Sequence, residues 1–140
     1  MATTSERIDD PTAVASKPTV LVVEDVLLVR ILISEFLRER GFEVLEAANS
    51  EQAIRVLEAD YPVRAVLSDI YMPDAALDGV GLARWVRTHR PDLKVILGSG
   101  VVSTLDPADA AFHEGPLLHK PYKHDEVEQR LRRVIAASDA

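Results

Sequence analysis

Cysteine is absent from the 140 residues, which excludes disulfides and thiolate zinc sites. No Gly-x-Gly-x-x-Gly follows an apolar run and no Walker sequence is present, which argues against dinucleotide and NTP binding. The four histidines, His89, His113, His119 and His124, show no metal-ligand spacing. Apolar runs grow no longer than the one at 26–29, far too short to span a bilayer, so membrane insertion is not expected. Basic excess is missing too. Sixteen Lys and Arg face 23 Asp and Glu, a formal net charge of −7, and such a balance disfavours nucleic acid or anionic membrane as a direct partner. The opening Met1-Ala2-Thr3-Thr4-Ser5-Glu6 lacks the apolar stretch of a signal peptide, so a cytoplasmic location is expected.

What is present is one domain's length of alternating strand and helix signals, enough to bury a core without metals or cross-links. Residues 1–17 are polar, proline-bearing and aperiodic, and are expected to form a disordered arm; 18–138 are expected to form the domain. Strands are predicted at 19–24, 43–47, 64–68, 94–97 and 116–119, and helices at 27–40, 78–89, 102–112 and 123–136, with a further helix between the second and third strands. The first helix is expected to bury Val29, Leu32, Ile33, Phe36 and Leu37. The second should bury Ala53, Ile54 and Leu57 behind a cap at Asn49 or Ser50. The last should bury Val127, Leu131, Val134 and Ile135. Pro107 interrupts the predicted helix at 102–112. Strands alternating with helices mean βαβ units, a parallel sheet and an α/β fold.

Short apolar runs end on polar groups of particular kinds: Val20-Leu21-Val22-Val23-Glu24-Asp25, Ala65-Val66-Leu67-Ser68-Asp69, Val95-Ile96-Leu97-Gly98-Ser99 and Leu117-Leu118-His119-Lys120-Pro121. Taken singly, each has a bland explanation. Adjacent acids after a strand usually cap the next helix, Ser99 between two glycines suits a turn, and a lone lysine belongs at the surface. Taken together they describe a site, because ligands of open parallel sheets bind at the carboxyl ends of the strands.

With Met72-Pro73 after Asp69 and Asp78-Gly79 further on, this constellation resembles the receiver domain of two-component response regulators, from about Thr19 to about Ala136. The resemblance implies a doubly wound, flavodoxin-like (βα)5 fold with five parallel strands in the order 2-1-3-4-5. It implies that Asp69 is the phosphoacceptor, charged by a histidine kinase or a histidine phosphotransfer protein, with Ser99 and Lys120 contacting the phosphoryl oxygens. Mg2+ would be held by Asp25, Asp69 and the backbone carbonyl of Tyr71, with Glu24 acting through a water. A cis bond before Pro121 is also implied. Such a protein catalyses only its own phosphorylation and dephosphorylation, and signals by docking a partner or relaying phosphate. After Pro121 there is length for one helix and no more, and a stand-alone receiver is expected.

Three positions depart from the family pattern. Leu117 stands where an aromatic is common, Gly100 replaces the usual alanine after the hydroxyl, and Asp74-Ala75-Ala76-Leu77 lengthens the connection after Met72-Pro73. Two other functions compete with the leading one. One is an unphosphorylated pseudo-receiver that binds partners; the presence of every anchor weakens it. The other is a small Mg2+-dependent aspartyl phosphatase, weakened because Ile70-Tyr71 follow Asp69 where the common hydrolases need Asp-x-Asp.

Overall fold

Alternating apolar and polar stretches fold as the strand–helix order requires. The structure, a computed structural model, describes residues 17–100 and 113–138. The elements are β1 (Thr19–Val23), α1 (Leu27–Glu39), β2 (Glu43–Ala47), α2 (Ser50–Glu58), β3 (Val63–Asp69), α3 (Gly79–His89), β4 (Lys94–Ser99), β5 (Leu118–His119) and α4 (His124–Ser138). All strand pairs are parallel, in one five-stranded sheet of order β2-β1-β3-β4-β5. This is the expected doubly wound topology, with its order reversing at β1. The expected helix at 102–112 lies outside the described residues, as does the expected arm at 1–17 apart from its last residue.

Side chains alternate across each strand, so the central strands feed two cores. Leu21, Val23, Val66, Val95 and Leu97 pack with Ala53 and Leu57 of α2 and Leu82 and Val86 of α3. Val20, Val22, Leu67 and Ile96 pack on the other face with Ile33 and Leu37 of α1 and Val127 and Leu131 of α4. Among the described residues, helices therefore pack on both faces of the sheet. Among the described residues no helix is long and apolar enough to cross a membrane.

Local signals account for the helix starts. Asn49 Oδ1 accepts from the Gln52 N–H at 2.8 Å, while Gln52 Oε1 accepts from the Ala48 N–H at 2.8 Å, a reciprocal cap on α2. Asp78 Oδ1 accepts from the Gly81 N–H at 2.8 Å at the start of α3.

Two expectations need correction. Leu32 was expected to face the sheet, but it is 52% exposed; α1 instead buries Ile33, Ser34 and Leu37, with Val29 and Phe36 half-buried. The buried arc is rotated because Arg30 turns toward the sheet edge, donating to the Glu24 carbonyl at 2.7 Å and to Glu46 at 3.3 Å. The last strand was expected at 116–119, but only Leu118–His119 pair with β4. Pro116 has no N–H to give a ladder, and the carbonyls of Glu114 and Pro116 are both taken by Arg130 Nη2, at 2.7 and 2.8 Å.

Candidate functional site

The order reversal at β1 places the ends of β1 and β3 side by side, and β4 and β5 extend the same edge. Glu24 and Asp25 follow β1, Asp69 closes β3, Ser99 closes β4 and Lys120 follows β5. The fold thus brings all five sequence-predicted side-chain positions to one sheet edge. Glu24, Asp69 and Ser99 are buried, Lys120 is half-buried and Asp25 is exposed. One carboxylate oxygen from each of Glu24, Asp25 and Asp69 lies within 4.8 Å of the others.

Lys120 Nζ makes an ion pair with Glu24 Oε1 and another with Asp69 Oδ2 at 3.1 Å. Burial, reinforced by the neighbouring acids, raises the carboxyl groups of both Glu24 and Asp69 above their ordinary range. Burial alone would lower the Lys120 ammonium, but the two carboxylates outweigh it and hold the ammonium above its usual value. A single ammonium faces three carboxylates, so the cluster keeps an excess of negative charge. An all-oxygen donor set of this kind, with one exposed member open to solvent, fits a hard divalent cation.

The rest of the site is braced by main-chain contacts. Glu24 Oε2 accepts from the Val26 N–H at 3.1 Å, and Asp69 accepts from the Tyr71 N–H. Ile70 N–H donates to the Gly98 carbonyl at 2.9 Å and Gly79 N–H to the Ile70 carbonyl at 2.8 Å, which joins β3, β4 and the start of α3 directly beneath Asp69. A Cβ at Gly79 would run into the Asp69 carbonyl oxygen and sit 2.7 Å from Ile70 Cα, so this position admits glycine alone. Sequence reading took Gly79 for a helix start and missed this contact.

Residues 20–132 match the response regulator receiver domain family. The chain belongs to that family. A putative NtrX-like response regulator of Rickettsia bellii is 34% identical over 117 residues, spanning 82% of this chain and 24% of the relative. A probable chemotaxis protein CheY of Rhizobium etli is 29% identical over 130 residues, covering 89% of this chain and 98% of that one. The response regulator TrrA of Thermotoga maritima, solved in complex with Mg2+–BeF, superimposes with a TM-score of 0.73 at 26% identity, covering 84% and 98% of the two chains. The receiver thus spans about a quarter of the length of its NtrX-like relative and nearly all of its CheY and TrrA counterparts.

The receiver's departures from the family pattern have physical consequences. Leu117 is half-buried and packs against the core shared with α2 and α3. The lengthened connection after Met72-Pro73 is held down by α2: Leu77 N–H donates to Ser50 Oγ and Ala76 N–H to Glu51 Oε2, both at 3.2 Å. Tyr71 is 65% exposed, and the contact it makes with Asp69 is through its main chain. The peptide bond between Lys120 and Pro121 is cis, as the resemblance implies. Trp85 is half-buried in the core beneath α3 and stacks on His89 with ring centroids 4.2 Å apart. No spacing in the sequence announces Arg30, whose guanidinium fastens the Glu24 carbonyl.

Proposed function

We propose that this receiver takes a phosphoryl group onto Asp69 from a histidine kinase or a histidine phosphotransfer protein, and signals by docking a partner or by passing the group on. The observation that supports this reading most is the convergence of Glu24, Asp25 and Asp69 around a cation position, with Lys120 Nζ 3.1 Å from the acceptor carboxylate. One Asp69 carboxylate oxygen attacks phosphorus, an O–P bond forms as the N–P bond to the donor imidazole breaks, and the imidazole nitrogen leaves with the bonding pair. Lys120 offsets charge on one phosphoryl oxygen, and Ser99 at the end of β4 is in place to donate to another. Asp25, Asp69 and the Tyr71 carbonyl would hold Mg2+, with Glu24 supporting through a water. Bound there, the ion supplies neutralisation between an anionic nucleophile and an anionic donor. The protein then acts on itself alone and turns over no separate substrate.

Partner docking has support from Val26 and the first turns of α1, where Leu27, Leu28, Ile31 and Leu32 are likewise exposed beside the site. The net charge of −7 gives no support for a nucleic-acid partner. Incubation with acetyl phosphate or a phosphorylated histidine donor plus Mg2+ tests the proposal. A stable, acid-labile phosphoryl group on the wild type and none on Asp69→Asn is the expected result. No adduct with either donor would leave a binding module, and multiple turnover of a phosphate ester would indicate a phosphatase.

A further inference from the structure

Tyr122, two residues beyond the site lysine, has a ring that reaches back under β4. A Cβ built at Gly98 would meet the Tyr122 hydroxyl, with ring carbons Cε1 and Cζ at only 2.6 and 2.9 Å. The ring therefore occupies the volume that any side chain at Gly98 would claim. The neighbouring position on this face of β4, Ile96, is wholly buried in the core against which Tyr122 packs. Above the ring, Lys120 Nζ lies 5.8 Å from its centroid, within the range at which an aromatic face attracts a cation. Burial, together with the nearby charges of Glu24 and Asp69, pushes the phenol well above its ordinary range, which keeps it neutral beneath the site. Leu117, where an aromatic is common in the family, is half-buried and aliphatic, so Tyr122 is the aromatic ring that β5 and its exit bring to the lysine.

We propose that Tyr122 is a positioning residue for Lys120, and that position 98 is glycine because a side chain there would evict the ring that supports the ammonium. Lys120 is a flexible chain with four carbons between backbone and charge, and its value to a phosphoryl oxygen depends on where that charge is held. Two buried carboxylates hold the ammonium by charge and the Tyr122 ring lies close to it, so both kinds of contact limit where the ammonium can go. Gly98 contributes by leaving space, although it would touch neither metal nor phosphoryl group. The inference rests on the phosphoacceptor reading of the same site, and its test separates the two.

Three variants of the full chain serve: Tyr122→Phe, Tyr122→Leu and Gly98→Ala. The first readout needs neither phosphate nor metal. An aromatic ring next to the Lys120 side chain displaces its methylene proton chemical shifts; Tyr122→Phe should keep that displacement and the other two should lose it. The second readout is the rate of phosphorylation from acetyl phosphate, measured alongside Mg2+ affinity. Tyr122→Phe should stay within about twofold of the wild type, whereas Tyr122→Leu and Gly98→Ala should slow by roughly three- to tenfold. Mg2+ affinity should hold in all three, because the ring acts on the lysine and not on the carboxylates. If Gly98→Ala fails to fold, Tyr122→Leu carries the comparison with Tyr122→Phe. A wild-type rate in Tyr122→Leu, unchanged lysine shifts, or rate and Mg2+ affinity falling together would each overturn the proposal. A wild type that takes up no phosphoryl group would overturn the functional reading instead, and the shift comparison would still decide whether the Tyr122 ring lies against Lys120.

Discussion

Arg40, just past the end of α1, donates its Nε hydrogen to Glu128 Oε1 in α4 at 3.0 Å, across 88 positions of chain. Arg132, one turn further along α4, donates to the other oxygen of the same carboxylate at 3.0 Å, and its guanidinium lies 4.6 Å above the Phe42 ring. The two helices on one face of the sheet are thereby fastened at the end opposite the edge that carries Asp69. The Arg132 and Arg40 partners hold the Glu128 carboxyl below its usual range. A depressed carboxylate contributes stability that is present above its unfolded value and lost as pH falls through its folded value. Glu128→Gln should therefore cost about 0.5–1 kcal/mol at neutral pH, and the gap from wild type should close below the ordinary glutamate range. Urea denaturation at several pH values measures it; a gap independent of pH would rule out the charge as its source.

Asp69 presents the opposite sign. Its carboxyl is raised by burial, so the folded protein binds that proton more tightly than the unfolded chain does. The ionised group weakens the fold at neutral pH, and the penalty fades as pH falls into the carboxylate range. Asp69→Asn should abolish phosphoryl uptake and, without divalent cations, raise the melting temperature at neutral pH. The advantage of the variant should shrink on acidification. A variant that melts below the wild type at pH 7 would contradict this account of the cluster.

Gly79 tests how tightly the start of α3 must approach β3. Gly79→Ala places a methyl group against the Asp69 and Ile70 backbone, where rigid atoms cannot move aside cheaply. A loss of about 1–3 kcal/mol or more is expected, with weaker divalent-ion affinity because Asp69 is the strand end being pushed. Gly81→Ala is the control: its Cβ would meet the Leu77 side chain at 3.2 Å, a side chain able to shift, so a smaller loss is expected. Chemical denaturation ranks the two, and equal losses would show that close approach to Asp69 is not what sets the cost.

Leu28 and Ile31 are 65% and 41% exposed on the outer face of α1. Their joint replacement, Leu28→Ser with Ile31→Ser, should change stability by no more than about 0.5 kcal/mol each, as surface substitutions do. Transfer from a phosphorylated histidine phosphotransfer protein should slow by about tenfold, the scale of one modest interface contact, while acetyl phosphate should react at the wild-type rate. Equal slowing with both donors would trace the effect to the fold and refute docking.

Much of this molecule was legible in its residues, and the illegible parts share one cause. Val20, Val22, Ala65 and Ile96 sit in runs whose composition betrays a strand buried on both faces, and Val127, Leu131 and Val134 recur at helical spacing. Glu24, Asp25, Asp69, Ser99 and Lys120 were legible because a parallel sheet collects its strand ends at one edge. Leu32 was misread because helical spacing identifies an apolar stripe but not which edge of it meets the sheet, and Arg30 decided that through contacts with Glu24 and Glu46. The shortness of β5 escaped because Arg130, fourteen and sixteen positions further on, satisfies the carbonyls that a longer ladder would use. Gly79 and Gly98 carry no periodic signal at all. Their meaning lies in the neighbour that fills the space, and that neighbour is distant in sequence or turned back from a loop.

The brevity of β5 also governs how a disturbance at the carboxylate cluster would spread. Two residue pairs, Gly98 with Leu118 and Ser99 with His119, attach this strand to β4, and the Lys120 N–H closes onto the Ser99 carbonyl at 3.0 Å. The backbones that carry the hydroxyl and the ammonium are therefore joined in one short ladder. A tug on Ser99 is felt by Lys120 through the main chain, as a pulled zip moves its neighbouring teeth. A shift at Ser99 can then pass sideways along the sheet edge toward the start of α4 through the main chain alone.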